Sequence, residues 1–220
     1  MKKKDISEMG EEGFPDQYWD LNYDEPETMD CIGNVEEHMN YLKSLFDLEL
    51  IEIKSLVDFG FGQGHMLRGA LEAFRPRKSL GIEPSLRPFL EMEAWNKKSE
   101  NQLTLKRVGV LTWLLKNKGK FDLGLCNSVF QYISTSNLKK VVPLMAKRVR
   151  YLYLTVPTDK ELDNQVKEHR FTDSFALKRS RRTYQQILKK DFTFISSRLL
   201  ESKSFFDEEN THFSNLLYRF

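Results

Sequence analysis

The sequence has few cysteines, no long apolar run and almost no net charge. Only Cys31 and Cys126 occur in 220 residues, too few for a disulfide framework or a zinc site of the usual cysteine-rich kind. No run approaches the roughly 18 apolar residues of a membrane helix, and the lysines at 2–4 have no apolar stretch behind them. These absences predict a cytoplasmic protein with no metal site and no membrane contact.

The net charge of +2 is unevenly distributed along the chain. Residues 1–30 carry ten acids and three lysines, whereas residues 139–190 carry fourteen Lys and Arg against five acids. Two solvated faces would account for this, as would an acidic tail lying across its own basic surface. A basic rim that attracts an anionic substrate is the alternative. The apolar fraction of 40% and the length indicate one globular domain with a modest elaboration.

The most informative stretch is a strand-like segment followed by alternating glycines. Apolar residues around Asp58 predict a short buried strand, and Gly60, Gly62 and Gly64 then favour a tight turn. Within 66–74 the apolar residues recur at helical spacing. The stretch is therefore predicted as strand, glycine turn and helix, with backbone N–H groups and the positive end of the helix dipole facing a polar ligand.

Two classes of nucleotide cofactor use such a turn, and the spacing separates them. The dinucleotide fingerprint G-x-G-x-x-G would need a third glycine where His65 stands, which disfavours a nicotinamide-dependent oxidoreductase. A second predicted strand, 78–83, ends in Glu83, 19 residues after Gly64. A carboxylate at the tip of the adjacent parallel strand can accept both ribose hydroxyls of a nucleoside.

The pattern Asp-x-Gly-x-Gly-x-Gly over 58–64 resembles the first motif of the class I S-adenosylmethionine-dependent methyltransferases. Residues 121–132 resemble the fourth-strand motif of that family, and the resemblance extends over about 34–220. It implies a doubly wound, Rossmann-like α/β fold. The seven-stranded sheet would be mostly parallel with an antiparallel last strand, and helices would cover both faces. A closing hairpin is predicted from strands at 192–200 and 213–218.

The resemblance also implies where S-adenosylmethionine would bind. Asp58 would orient the glycine loop or receive the methionyl ammonium through water, and Glu83 would hold the ribose. Asn127 would contact the methionyl group, with a strand-end cap as the alternative. Many family members carry an acid after the third strand, but Gly109 and Val110 stand there, so the adenine contact would come from backbone groups. The predicted cofactor-binding residues are Asp58, Gly60, Phe61, Gly62, Gly64, Glu83, Pro84, Val110 and Asn127.

Residues 1–33 are predicted as an N-terminal tail and 34–220 as the methyltransferase domain. The aromatic part of the tail, Tyr18, Trp19 and Tyr23, is too apolar for a disordered segment and is predicted to be irregular. It would form a lid that desolvates the sulfonium by cation–π contact. A simple hydrophobic anchor is the alternative.

The acceptor side is predicted around an insertion at 158–180. His169 within it is the candidate general base, with a solvated loop histidine as the alternative. Tyr132, together with Tyr18 and Trp19, is a candidate substrate contact, and a role in the core or rim is the alternative for it. No residue is assigned firmly to catalysis.

The run Lys178–Arg182 suggests nucleic-acid binding. However, no aromatic residues are interleaved with it, and its arginines could face the glutamates of the N-terminal tail instead. The Asn/Asp-Pro-Pro-aromatic motif of the amino-methylating enzymes is also absent, since Asn127–Phe130 stands in its place. A small-molecule acceptor is therefore favoured. An RNA or protein acceptor, and a module that binds the cofactor without transferring a methyl group, are the alternatives. The oligomeric state is left open.

Overall fold

The computed structural model describes residues 10–22, 30–99, 102–169 and 173–205. The helices are α1 (Asp16–Asn22), α2 (Val35–Leu48), α3 (His65–Phe74), α4 (Leu86–Asn96), α5 (Val110–Lys116), α6 (Thr135–Ala146), α7 (Asp159–His169) and α8 (Arg181–Leu188). The strands are β1 (Ser55–Phe59), β2 (Lys78–Ile82), β3 (Leu103–Lys106), β4 (Phe121–Asn127), β5 (Val149–Thr155), β6 (Phe192–Phe194) and β7 (Leu199–Ser202). Strands and helices alternate from β1 to β5, which is the order of a doubly wound α/β fold.

The strands form one sheet in the order β3-β2-β1-β4-β5-β7-β6. β1 pairs in parallel with β2 on one side and with β4 on the other, so Val57 lies between Leu80 and Gly124. β7 is antiparallel to both β5 and β6. The predicted fold class is confirmed. The strand order reverses between β1 and β4, and ligands of such sheets bind outside the carboxyl ends of the strands at this point.

The hydrophobic core covers both faces of the sheet. Leu56, Val57 and Phe59 of β1 are fully buried, as expected for a parallel strand packed on both sides. One apolar cluster joins the sheet to α5, α6 and α8, and a second joins it to α2, α3 and α4. Cys126 belongs to the first cluster and Cys31 to the second, and both are free thiols. Within the described ranges, no helix is long and apolar enough to cross a membrane.

The end of the sheet differs from the prediction. The sequence predicts one strand over 192–200, but β6 and β7 both lie there, separated by bends at 195–198. Ser196 Oγ accepts hydrogen bonds from the N–H groups of Arg198 (3.3 Å) and Leu199 (3.1 Å), which turns the chain. The other predicted strand, 213–218, lies outside the described residues. The antiparallel closure is thus made by earlier residues than predicted.

Two helices occur in segments for which no helix is predicted. α1 lies within the N-terminal tail, and α7 fills the first half of the 158–180 insertion. α7 begins with a reciprocal capping box: Thr158 N donates to Glu161 Oε2 (2.7 Å), and Glu161 N donates to Thr158 Oγ1 (3.4 Å). The part of the insertion at 159–169 is therefore a helix that follows the carboxyl end of β5.

Candidate functional site

The loop between β1 and α3 has a backbone that requires glycine. Gly60 and Gly64 have φ angles of +87° and +79°, in the left-handed region that side chains rarely adopt. A Cβ atom at Gly60 would also lie 2.7 Å from Val129 Cγ2, and one at Gly64 would overlap the methyl group of Met92. The loop therefore presents bare backbone at the N-terminus of α3, where N–H groups can face a ligand.

Two buried carboxylates flank this loop. Asp58 lies in β1 and is 2% exposed, and Glu83 directly follows β2 and is 5% exposed. Glu83 accepts hydrogen bonds from the N–H groups of Gly62 (3.0 Å) and Ser85 (2.8 Å), which ties the glycine loop to the end of β2. Asp58 Oδ1 receives no hydrogen bond from the residues that the structure describes. A buried carboxylate oxygen in this condition indicates a place for a ligand group.

Burial raises the pKa of both carboxyl groups. Desolvation is the main cause for Asp58, and the neighbouring Glu83 charge raises the pKa of Asp58 further. Desolvation also raises the pKa of Glu83, although the hydrogen bonds from Ser85 and Gly62 oppose this rise. Both shifts arise because these negative charges are removed from water, and a bound cation would lower both pKa values.

The glycine loop and both carboxylates border a cavity of about 330 Å³ at the carboxyl ends of the strands, a volume within the range of small-molecule sites. Of the described residues, no Lys or Arg lines this cavity. The wall therefore favours a ligand with positive charge. All predicted cofactor and substrate residues border the cavity: Asp58, Gly60, Phe61, Gly62, Gly64, Glu83, Pro84, Val110, Asn127, Tyr18, Trp19 and Tyr132.

Residues 10–22, which we term the strap, lie across the mouth of the cavity. Phe14 N donates a hydrogen bond to Ser85 Oγ (3.0 Å), beyond the end of β2. The carboxylate of Glu11 accepts from Ser134 N (2.6 Å) and from Asn137 Nδ2 (2.6 Å), at the start of α6. The strap thus bridges the loops that follow two different strands.

Aromatic packing holds α1 of the strap in place. The rings of Phe14 and Tyr18 stack with centroids 3.8 Å apart. Tyr18 Oη lies 2.8 Å from Tyr132 Oη, and Tyr132 donates to Asp173 Oδ2 (2.6 Å). Trp19 is 6% exposed and packs over the glycine loop. The strap therefore covers the cavity with aromatic rings, while the predicted lid residue Tyr23 lies outside the described residues.

The solved structures that this chain resembles include several methyltransferases. The chain matches an S-adenosylmethionine-dependent methyltransferase from Clostridium acetobutylicum with a TM-score of 0.65 and 11% identity, over 84% of this chain and 96% of that one. It matches magnesium protoporphyrin IX methyltransferase from Synechocystis, with bound S-adenosylhomocysteine, with a TM-score of 0.59 and 17% identity, over 90% of this chain and 99% of that one. The cyclopropane synthase MmaA2 from Mycobacterium tuberculosis matches with a TM-score of 0.56 and 14% identity, over 89% of this chain and 78% of that one. The chain has the class I methyltransferase fold. No family model matches the sequence, and neither does any curated protein.

The segment after β3 of this methyltransferase fold supplies backbone to the cavity. Gly109, Val110, Leu111 and Thr112 line it, and Val110 is the first residue of α5. A Cβ atom at Gly109 would lie 2.7 Å from the carbonyl oxygen of Glu11 in the strap. The strap therefore passes directly over this segment, and N–H groups at the start of α5 are the polar groups available there.

A group of polar side chains that the sequence analysis does not single out lies at the ends of β4 and β5. His38 Nε2 is 2.9 Å from Asp30 Oδ1, and Cys31 Sγ is 3.8 Å from Asp30 Oδ2 and 3.7 Å from His38 Nε2. Cys31 Sγ also lies 3.6 Å from Thr155 Oγ1 and 3.9 Å from Asn127 Oδ1. We term these three residues the Asp30–Cys31–His38 cluster. Because Asp30 and Cys31 line the cavity, the cluster forms the wall beside Asn127.

The turn before α2 positions Asp30 and Cys31 of this cluster. The hydrogen bond from His38 holds the pKa of Asp30 well below its usual range, whereas burial raises the pKa of Cys31 to about 12. Cys31 adopts a φ of +66°, which is uncommon for a residue with a side chain. Asn34, the N-cap residue of α2, makes no side-chain capping bond and instead accepts from Cys31 N (2.7 Å) and donates to Asp30 Oδ1 (2.9 Å).

The structure describes the side chains of the basic run Lys178–Arg182 but not that of His169, the predicted base. His169 is the last residue of α7, and its side chain is outside the described part of the chain, so its role stays a prediction. Arg179 is 6% exposed and donates to the carbonyl oxygens of Phe130 (2.9 Å) and Ile133, and Lys178 forms an ion pair with Asp163. Arg179 thus faces the interior of the protein. That other arginines of the run face the N-terminal glutamates stays a prediction.

Proposed function

We propose that the protein is an S-adenosylmethionine-dependent methyltransferase that acts on a small molecule. The observation that carries this proposal is the pair of buried carboxylates, Asp58 and Glu83, beside a glycine loop in a cavity with no lining Lys or Arg among the described residues. S-adenosylmethionine carries a sulfonium, an ammonium and two ribose hydroxyls. Cations and hydroxyl donors are the groups that such carboxylates bind.

The residues present fit this methyl donor. Each Glu83 oxygen has lone-pair capacity beyond the single backbone bond it accepts, so it would hold the ribose hydroxyls. Asp58 Oδ1 and Asn127 Nδ2 are buried polar atoms without a hydrogen-bond partner among the described residues, and they would bind the methionyl ammonium and carboxylate. When bound, the donor supplies an electrophilic methyl group. The protein would position the two reactants and exclude water.

A small-molecule acceptor is supported by the size of the cavity and by the contacts of the basic run. The cavity, lined on one side by the strap, has a volume of about 330 Å³, which suits a small ligand. Arg179 and Lys178 are engaged within the protein, which reduces the basic surface available to a nucleic acid. The cytoplasmic location stays a prediction from the sequence.

Thermal unfolding tests the proposal directly. S-adenosylmethionine and S-adenosylhomocysteine should both raise the unfolding temperature, and the shift should grow with ligand concentration. At one hundred times the Kd, the free energy of unfolding should be higher by about 2.7 kcal/mol. NAD at the same concentrations should leave the temperature unchanged. The opposite pattern, with stabilisation by NAD alone, would replace the methyltransferase assignment by an oxidoreductase one.

The strap gives a second prediction. Deleting residues 1–22 should weaken S-adenosylhomocysteine binding by roughly tenfold or more, because the cavity becomes open to water and loses aromatic contacts. The fold should survive, since the sheet begins at Ser55. Calorimetric titration of the truncated and full chains measures the change.

A matched pair of variants in α1 controls this experiment. Trp19 packs over the glycine loop, whereas Leu21 on the same helix is 77% exposed. Trp19→Ala should therefore reproduce most of the loss, and Leu21→Ala should bind the ligand as the unmodified chain does. Equal affinities for the truncated and full chains would show that the strap is an anchor and not a lid.

A further inference from the structure

The Asp30–Cys31–His38 cluster brings together a carboxylate, a thiol and an imidazole from residues 30–38. We propose that these three side chains bind a divalent transition-metal ion of the zinc type at the acceptor side of the cavity. Two cysteines alone do not predict a zinc site, because zinc motifs usually contain several cysteines or histidines at short spacing. The fold instead places one cysteine next to two ligands of other kinds.

The donor atoms and their separations suit zinc. Thiolate sulfur, imidazole nitrogen and carboxylate oxygen are its protein ligands, at about 2.0–2.3 Å and in tetrahedral geometry, so ligand atoms stand about 3.3–3.8 Å apart. Cys31 Sγ lies 3.7 Å from His38 Nε2 and 3.8 Å from Asp30 Oδ2. The Asp30 and His38 donor atoms, at 2.9 Å, need to separate by less than 1 Å. The two Asp30 distances are to different carboxylate oxygens, and one ligand atom from each of the three residues lies within 4.8 Å of the other two. Small movements of these side chains would therefore bring the three ligand atoms to tetrahedral spacing.

The histidine ring is held in the orientation that a metal ligand needs. His38 is 5% exposed, and its Nδ1 is hydrogen-bonded to the hydroxyl of Tyr153 from β5. This bond directs Nε2 toward Cys31 and Asp30. Ligating histidines are commonly fixed in this way, through a hydrogen bond on the ring nitrogen that does not bind the metal.

Arg198 is the group that opposes metal binding. Its Nη1 lies 3.4 Å from Asp30 Oδ2 and 3.0 Å from His38 Nδ1. The Arg198 side chain is 40% exposed and its stem is flexible, so it can turn toward solvent. Its positive charge should weaken the metal site without removing a ligand.

The remaining coordination position would face the cavity. Asp30 and Cys31 both line the cavity, and Asn127 Oδ1 and Thr155 Oγ1 lie beside the thiol. Catalytic zinc sites have three protein ligands and one position open to water or substrate. An acceptor thiol, hydroxyl or amine is therefore the class of ligand for this position. That final step rests on the proposed function, whereas the ion site itself does not.

Titration with Co²⁺ tests the site. The purified full chain, with no methyl donor added, should take up one Co²⁺ per chain and show a thiolate-to-cobalt charge-transfer band together with the visible bands of a tetrahedral ion. Zn²⁺ should displace the Co²⁺ and remove the bands. Because this measurement needs no methyl donor, its failure and a failure of donor binding are distinguishable.

Four variants separate ligation from loss of structure. Cys31→Ser should abolish the charge-transfer band, and His38→Gln should weaken Co²⁺ binding by more than about a hundredfold, beyond the 10–100-fold effect of removing outer partners of a site. Cys126→Ala, which removes the other thiol, and Arg198→Gln, which keeps all three ligands, should retain the band. Circular dichroism confirms that each variant is folded. The proposal is overturned if the full chain shows no tetrahedral bands, or if folded Cys31→Ser keeps the charge-transfer band.

Discussion

Replacing Glu83 with alanine is expected to weaken S-adenosylhomocysteine binding by about 30- to 1,000-fold. The carboxylate would lose two charge-assisted hydrogen bonds to the ribose, on the order of 2–4 kcal/mol of binding free energy. The structure adds a second cause. Glu83 also accepts the N–H group of Gly62, so its removal frees the glycine loop that faces the ligand. Calorimetric titration measures the affinity.

Two further substitutions make this result specific. Glu83→Gln keeps an acceptor oxygen of the same shape and should lose less affinity than Glu83→Ala. Glu91, an exposed residue of α4 that pairs with Arg87, is a matched control, and Glu91→Ala should leave affinity unchanged. Unchanged affinity in both Glu83 variants would show that the ribose is held elsewhere.

Asp58→Asn is expected to stabilise the protein while weakening binding of the methyl donor. The buried carboxylate has an oxygen without a hydrogen-bond partner among the described residues, and its pKa is raised well above the usual value. Removing such a charge should increase the free energy of unfolding by on the order of 1–3 kcal/mol. The same charge would bind the methionyl ammonium, so the variant should lose affinity by at least about tenfold.

The pH dependence of the stability gain tests whether the charge of Asp58 is its cause. In the unfolded chain Asp58 ionises near pH 4, whereas in the folded protein it keeps its proton to a higher pH. Protein stability therefore falls as pH rises between these two pKa values, and it is constant above the higher one. The gain from Asp58→Asn should be small near pH 4, increase with pH and then level off. Urea denaturation at a series of pH values measures it.

Asp122 provides a control for which the opposite change in protein stability is expected. It accepts hydrogen bonds from Lys54 N, Ser55 N and Ser55 Oγ, at 2.8–2.9 Å, at the start of β1. Asp122→Asn should therefore destabilise the protein, since Oδ2 of the carboxylate accepts three hydrogen bonds. A loss of stability in Asp58→Asn would mean that the Asp58 carboxylate is satisfied within the fold and is not held for a ligand.

The sequence predicts the donor half of the site because that half depends on local patterns. Apolar runs locate the parallel strands, and the sheet then brings their ends together, so Asp58 and Glu83 meet wherever the sheet forms. The glycine loop is equally local, because a left-handed backbone at Gly60 and Gly64 admits few other residues.

Structure without apolar periodicity is predicted less well. α7 contains one buried apolar residue, Leu162, so its helical pattern is weak, although its capping box Thr158–Glu161 is visible in the sequence. The bends between β6 and β7 depend on hydrogen bonds to Ser196, within a run that otherwise reads as strand. Both errors follow from giving apolar spacing more weight than side-chain hydrogen bonds.

The Asp30–Cys31–His38 cluster could not be found from sequence spacing. Its residues meet because Asn34 shapes the turn before α2 and because Tyr153, more than one hundred positions later, holds the imidazole. Such contacts depend on how α2 packs against β5. They are a product of the tertiary fold, and no short motif encodes them.

The path of the strap also fixes when the cavity can close during protein synthesis. The strap leaves the ribosome before the rest of this domain, and its hydrogen-bond partners Ser85, Ser134 and Asp173 follow at separations of 71, 123 and 155 residues. It must wait, undocked, until nearly the whole domain has been made. A nascent chain that stops before residue 173 contains β1–β5 and still lacks Asp173, one of the residues that hold the strap at the cavity.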